Sequence, residues 1–274
     1  MSDFLRAFRD SLLNPWGLTG LAIVVVFLVV RRWFHLRAHD NARAARVAAL
    51  TPPAVELGGR VTGPDGATAW SAGLRGPMAD EATGVPGRLF PRSRPGFDLA
   101  MDFRRGPWHV RVTEASVRTA VVAGAGARWD REHRIEVATT ALPAMKLVRP
   151  PRHDHRGVPV PPREDRRSGW ASRPPATATA WHPLPLPDAL ADDFTAFGAD
   201  PAAAPFTFDG LWWILERENA LPVWAREVRL TFEGGLVYAI FPHPVYPDDL
   251  LAVVDTIVGL LDRTPGVRPR PQGS

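Results

Sequence analysis

The first pattern along the chain is an apolar run. Trp16 to Val30 carries no charge, and from Leu21 to Val30 nearly every residue is aliphatic with no polar face. With Pro15 and the flanking Arg31 to Phe34 the span reaches about 20 residues, the length a helix needs to cross the hydrocarbon core. Trp16 and Trp33 stand at its two ends, where amphipathic rings prefer the membrane interface. Residues 15–34 are therefore expected to form a transmembrane helix. A cleaved signal peptide fits less well, because Arg-Arg-Trp-Phe-His follows the run where a small-x-small site would be needed. Ahead of it, Phe4, Leu5, Phe8 and Leu12 recur at helical spacing, so residues 1–14 read as a short interfacial helix. Behind it, residues 35–53 read as a basic juxtamembrane helix of good helix formers, stopped at Thr51-Pro52-Pro53.

Residues 54–148 change period. After an irregular stretch with one short strand near Arg88 to Phe90, Phe97, Leu99, Met101 and Phe103 alternate with Asp98, Ala100, Asp102 and Arg104. Arg105-Gly106-Pro107 is a turn, and Trp108, Val110 and Val112 then alternate with His109, Arg111 and Thr113. Strict period two predicts a hairpin with one buried and one wet face. Val117–Ala123 is expected as a third strand. Arg134–Thr140 and Ala144–Val148 continue the strand spacing. Residues 149–187 hold ten Pro and seven Arg and few apolar clusters. They are expected to be a disordered linker, set either between two subdomains or between two parts of one sheet.

Residues 188–265 regain periodicity as a C-terminal lobe. Phe206–Asn219 reads as a helix, Val223–Phe232 and Leu236–Phe241 as strands, and Glu233-Gly234-Gly235 as the tight turn between them. Pro247, Asp248 and Asp249 open a last helix carrying Leu250, Val253, Val254, Ile257, Val258 and Leu261. Residues 266–274 form a tail. The fold class expected is α+β: an N-terminal transmembrane helix, antiparallel strands, a Pro/Arg-rich linker, and a helix–hairpin–helix lobe.

Charge sharpens the picture. The chain of 274 residues has a net charge of +4, but residues 31–46 alone hold five Arg and one Asp. Residues 174–265, in contrast, hold four Arg and thirteen acids. The positive-inside rule then puts the C-terminal side in the cytoplasm of a bacterial plasma membrane, as a single-pass protein. Arg31, Arg32, Arg37, Arg43 and Arg46 are the candidate contacts to anionic lipid headgroups. The preference for Arg over Lys, with Lys146 the one lysine, matches coding from a GC-rich bacterial genome.

The absence of Cys excludes disulfides, thiol catalysis and Cys-ligated metals. Neither a nucleophile elbow nor a phosphate loop is present. Gly124-Ala125-Gly126 lacks the third glycine of a dinucleotide fingerprint and reads as a loop. His153-Asp154-His155 is flanked by Arg152 and Arg156, which would repel a cation, so no metal is expected there. His182 and His243, each followed by Pro, read as loop residues. Asp98 and Asp102 would lie about 13 Å apart on one strand, too far for a glycosidase pair. Glu216 and Glu218 do not face each other on a helix. No catalytic residue, metal or cofactor is assigned, and the basic linker beside an acidic lobe does not read as a specific nucleic-acid surface. Trp212, Trp213 and Trp224 are the candidate surface for a partner or ligand.

The apolar span Val24–Val30 with Arg31-Arg32, together with the hairpin and helix from Val228 to Leu261, resembles actinobacterial proteins with one N-terminal transmembrane helix and a cytoplasmic domain of unknown function. The resemblance is one of architecture and implies neither an activity nor site residues. The sequence thus supports a membrane-anchored, non-enzymatic protein whose cytoplasmic α+β domain binds another protein. Two alternatives stand beside it: a module for a lipid or hydrophobic ligand, and a membrane-tethered enzyme with an unidentified site.

Overall fold

A computed structural model describes residues 15–77, 96–120, 127–149, 181–201 and 204–270. The chain divides into two compact units, residues 1–48 and 49–274. Helix α1 (Pro15–Glu56) contains the apolar run. This helix is long and apolar enough to cross a membrane, with mean hydropathy 1.7 over its most apolar stretch. Its aliphatic side chains from Leu18 to Val30 stand exposed. The helix does not stop at Thr51 as expected but runs through Pro52 and Pro53 to Glu56. Leu50 and Ala54, four residues apart on one helical face, are both fully buried. Their packing holds a turn that two prolines weaken.

The second unit is built on one antiparallel sheet. Its strands are β1 (Arg60–Thr62), β2 (Gly96–Arg105), β3 (Trp108–Ala120), β4 (Ala127–Ala138), β5 (Met145–Val148), β6 (His182–Pro183), β7 (Thr195–Gly198), β8 (Arg229–Glu233) and β9 (Leu236–Phe241). Their order across the sheet is β1-β2-β3-β4-β9-β8-β5-β7-β6. β4 pairs with β9, matching Ile135 to Ala239, and β5 pairs with β8, matching Leu147 to Leu230. Strands from before and after the Pro/Arg-rich stretch therefore belong to one sheet. Of the expected linker 149–187, residues 150–180 lie outside the described residues, while its last part carries β6. The expected strand at Arg88–Phe90, the loop glycines Gly124 and Gly126, the 1–14 helix and His153-Asp154-His155 also lie outside them. Val117–Ala120 is no separate strand but the continuation of β3, paired residue by residue with β4.

Two helices follow the alternation of the strands onto one sheet face. They are α2 (Phe208–Arg217) and α3 (Pro247–Asp262). Leu99, Met101 and Phe103 of β2 share that face with Val110 and Val112 of β3 and Ile135 and Val137 of β4. Arg105 pairs with Asp255 of α3, and the Trp108 indole N–H donates to Asp262 at 2.8 Å, fixing α3 across β2 and β3. The apolar layer is closely filled. A void of about 20 Å³ remains among Ile214, Leu230, Phe241, Val253 and Ile257, room for no more than a water.

The opposite face departs from expectation. The alternation predicted a wet face, yet Thr113, Arg134, Glu136 and Glu233 on it are buried. The cover is a strap, residues 68–76, whose short 3-10 turn Trp70–Gly73 lies over β3, β4 and β9. Glu136 accepts the backbone N–H groups of Trp70 (2.9 Å) and Ser71 (2.8 Å). Arg134 donates to Glu132, to the Ser71 hydroxyl and to the carbonyls of Arg75 and Gly76. Arg111 makes a forked pair with Asp102 and carries the Trp70 ring 4.8 Å above its guanidinium. Such buried charges are tolerated because each is paired and hydrogen-bonded. A β-bulge at Asp98 shifts the register, since Phe97 opposes Ala115 while Leu99 opposes Glu114. Phe97 is thereby moved to the strapped face, where the Arg134 guanidinium sits over its ring at 5.6 Å.

Candidate recognition surface

The three tryptophans singled out by sequence occupy three different environments. α2 begins where the Thr207 hydroxyl accepts the Gly210 N–H at 3.1 Å, with Asp209 in the first turn and Arg217 in the last. Leu211 and Ile214 face inward and are buried. Trp213 lies between α2 and α3, flat against Gly259, where a side chain would collide with the indole. Its N–H donates to the Thr256 carbonyl, and Arg263 and Arg217 sit over the ring at 4.3 and 5.3 Å. Trp213 is thus a packing wedge.

Trp212 turns outward. Phe208, one helical turn earlier, stacks on it with ring centroids 5.7 Å apart and planes 12° from parallel. Both stay about 45% exposed, and the Trp212 indole N–H is held by Glu216 at 2.8 Å. The pair presents a flat aromatic surface whose rotamers are already fixed by stacking and hydrogen bonding. That is the arrangement an interface anchor needs, since little side-chain entropy remains to be lost. Phe208 was not singled out from sequence. Its signal was the four-residue spacing to Trp212 on a predicted helix.

Trp224 belongs elsewhere, on the helix-covered side of the sheet's end. It lies in the short turn Val223–Ala225 and donates to Asp249 at 3.2 Å. Its ring is edge-on to His133 (5.5 Å), Phe241 (4.9 Å) and His243 (4.4 Å). His133, also missed by the sequence reading, stacks on Phe241 at 4.8 Å and donates its Nδ1 proton to the His243 carbonyl at 2.8 Å. Burial drives the His133 pKa down from 6.5 to about 3, with the hydrogen bond to His243 opposing the shift. Burial likewise lowers the pKa of His243. Across the strand pair from His133, Glu114 accepts the Val245 N–H. Both imidazoles are neutral at physiological pH and packed among rings, an arrangement suited to core structure rather than proton transfer. Among the described residues no group of three or more His, Cys, Asp or Glu could hold a metal.

The acids considered earlier are engaged in structure. Asp102 pairs with Arg111, Glu216 with Trp212, and Glu218 with the buried Arg149 at 2.8 Å. The five candidate headgroup arginines all lie on α1 past the apolar run. Arg37 covers the Trp33 ring at 5.2 Å, and Arg43 meets Asp40 at 3.3 Å. Arg32 and Arg37 are exposed, and Arg31, Arg43 and Arg46 are half-buried.

A groove of about 570 Å³ opens on the strapped face. Trp70, Gly73 and Leu74 of the strap form one wall. Ala138, Gly234 and Leu236 form the floor, and His109 and Arg270 stand at the rim. The chain around Arg270 is fixed by the Thr140 N–H to the Arg268 carbonyl (2.8 Å) and by a bridge between Thr139 and Pro269. Compared with known proteins, the chain matches no family model, no curated protein and no solved structure.

Proposed function

We propose that the chain is a single-pass, non-enzymatic protein of the bacterial plasma membrane whose cytoplasmic α+β domain receives a protein partner on α2. The observation that carries this reading is the half-exposed Phe208–Trp212 stack. The apolar stretch of α1 supplies the anchor, and Arg31, Arg32, Arg37, Arg43 and Arg46 follow it as a cytoplasmic flank would. These arginines add attraction to anionic headgroups of about 1 kcal/mol for each one near the surface. The acids around the aromatic pair, Asp209 and Glu216, favour a partner surface with basic residues around an apolar pocket.

A photo-crosslinking residue placed at Asp209, exposed beside the stack on α2, tests the reading in growing cells. A discrete membrane-fraction adduct is expected there, weakened by Phe208→Ala. The same residue at Arg60, exposed on the edge strand β1, should give none. Equal, diffuse labelling at both positions would refute a dedicated surface on α2.

A further inference from the structure

The groove on the strapped face lies on the other side of the sheet from α2 and is independent of the partner surface. Its volume falls in the range of small-molecule sites. The floor and strap wall are apolar, with Trp70, Leu74, Ala138 and Leu236 contributing hydrocarbon. Its charge is one-sided. Arg270 lines it directly, and His109 brings the Arg104 guanidinium, 2.9 Å from its Nε2. None of the residues lining it is acidic. The carboxylates beneath are turned to structural work: Glu136 binds the strap's backbone, and Glu233 accepts the Tyr238 hydroxyl at 2.9 Å. An apolar trough with cations at its rim complements a molecule with a hydrocarbon body and one anionic end.

We propose that this groove binds a single-chain carboxylate amphiphile, a fatty acid in chemical class. Its chain lies along Trp70, Leu74 and Leu236, and its carboxylate meets Arg270. A planar carboxylate suits the forked guanidinium. A domain tethered beside a bilayer, as read above, has such molecules within reach. Gly73 lines the groove and is a place to add bulk beside it. A Cβ added at Gly73 meets no atom within 4 Å, so a large side chain there enters open space.

The test uses the full chain in phosphatidylcholine nanodiscs with decanoate bearing a terminal diazirine. After illumination, adducts are mapped by mass spectrometry. They are expected on the peptides containing Leu74 and Leu236, competed by decanoate and not by decyltrimethylammonium. Gly73→Trp should cut these adducts about tenfold while Gly73→Ala leaves them in place. Arg270→Glu, in the exposed C-terminal segment, should weaken competition by decanoate by a similar factor and serves as the test should Gly73→Trp misfold. Adducts confined to α1, equal competition by the ammonium amphiphile, or unchanged labelling in both Gly73→Trp and Arg270→Glu would overturn the proposal.

Discussion

Acid should unfold this domain through His133, and the size of the effect follows from its burial. The unfolded chain takes up a proton on this imidazole near pH 6.5, whereas the folded chain resists until about pH 3. Below pH 6.5 the unfolded state therefore binds more protons, and stability falls by about 1.4 kcal/mol per pH unit from this group. Two units down, at pH 4.5, the loss is about 3 kcal/mol, a large part of a typical domain's reserve. Replacing the ring by Phe keeps the stack on Phe241 and the edge contact to Trp224 but removes the titration. The substitution strips the Nδ1 donor from the His243 carbonyl, so at pH 7 the variant should be less stable by about 1–3 kcal/mol. Between pH 7 and pH 4.5 the gap should then shift by about 3 kcal/mol in favour of the variant, bringing the two proteins level or reversing their order. His243 is common to both proteins, so its own titration largely cancels in the comparison. Urea unfolding of the detergent-solubilised chain at the two pH values, followed by tryptophan fluorescence, measures the difference. Parallel losses in both proteins would show instead that His133 titrates like a solvated imidazole.

Other consequences are as direct. Glu136→Ala leaves the Trp70 and Ser71 N–H groups without their acceptor, so the domain should lose about 2–5 kcal/mol and the strap should open. Brief trypsin treatment checks this, since cleavage at Arg75 should rise sharply, and unchanged protection would count against the strap's anchoring. Gly259→Ala drives a methyl into the Trp213 indole and should cost about 1–3 kcal/mol in urea unfolding, whereas a neutral result would mean that α2 and α3 can part freely.

Some of this architecture was legible in the residues, for physical reasons that differ by element. The hairpin of β8 and β9 is read from Gly234 and Gly235, which take φ of 61° and 74° in a two-residue turn that other residues enter at a cost. The alternation from Leu99 to Val112 placed its core face correctly. The same alternation misassigned the other face, because period two separates apolar from polar positions and not polar from solvated ones. What keeps water off Arg134 and Glu136 is a strap more than fifty residues away in sequence, held by their own hydrogen bonds. β6 and β7 escaped for a related reason: two and four residues, one of them Pro, become strands only because β5 offers an edge to β7, and β7 in turn offers one to β6. The site was half legible. Trp212 stood out by its type, but its exposure and its partner Phe208 follow from which face of α2 meets α3.

Anchoring of a cytoplasmic domain by α1, as proposed, can be measured directly because the chain has no cysteine. Single replacements, Ser2→Cys and separately Ser274→Cys, are labelled in intact cells with a membrane-impermeant maleimide. Membrane-fraction protein is expected in which Ser2→Cys labels at once and Ser274→Cys labels only after the cells are permeabilised. Labelling of Ser274→Cys in intact cells, or recovery of the domain in the medium without its apolar run, would contradict it.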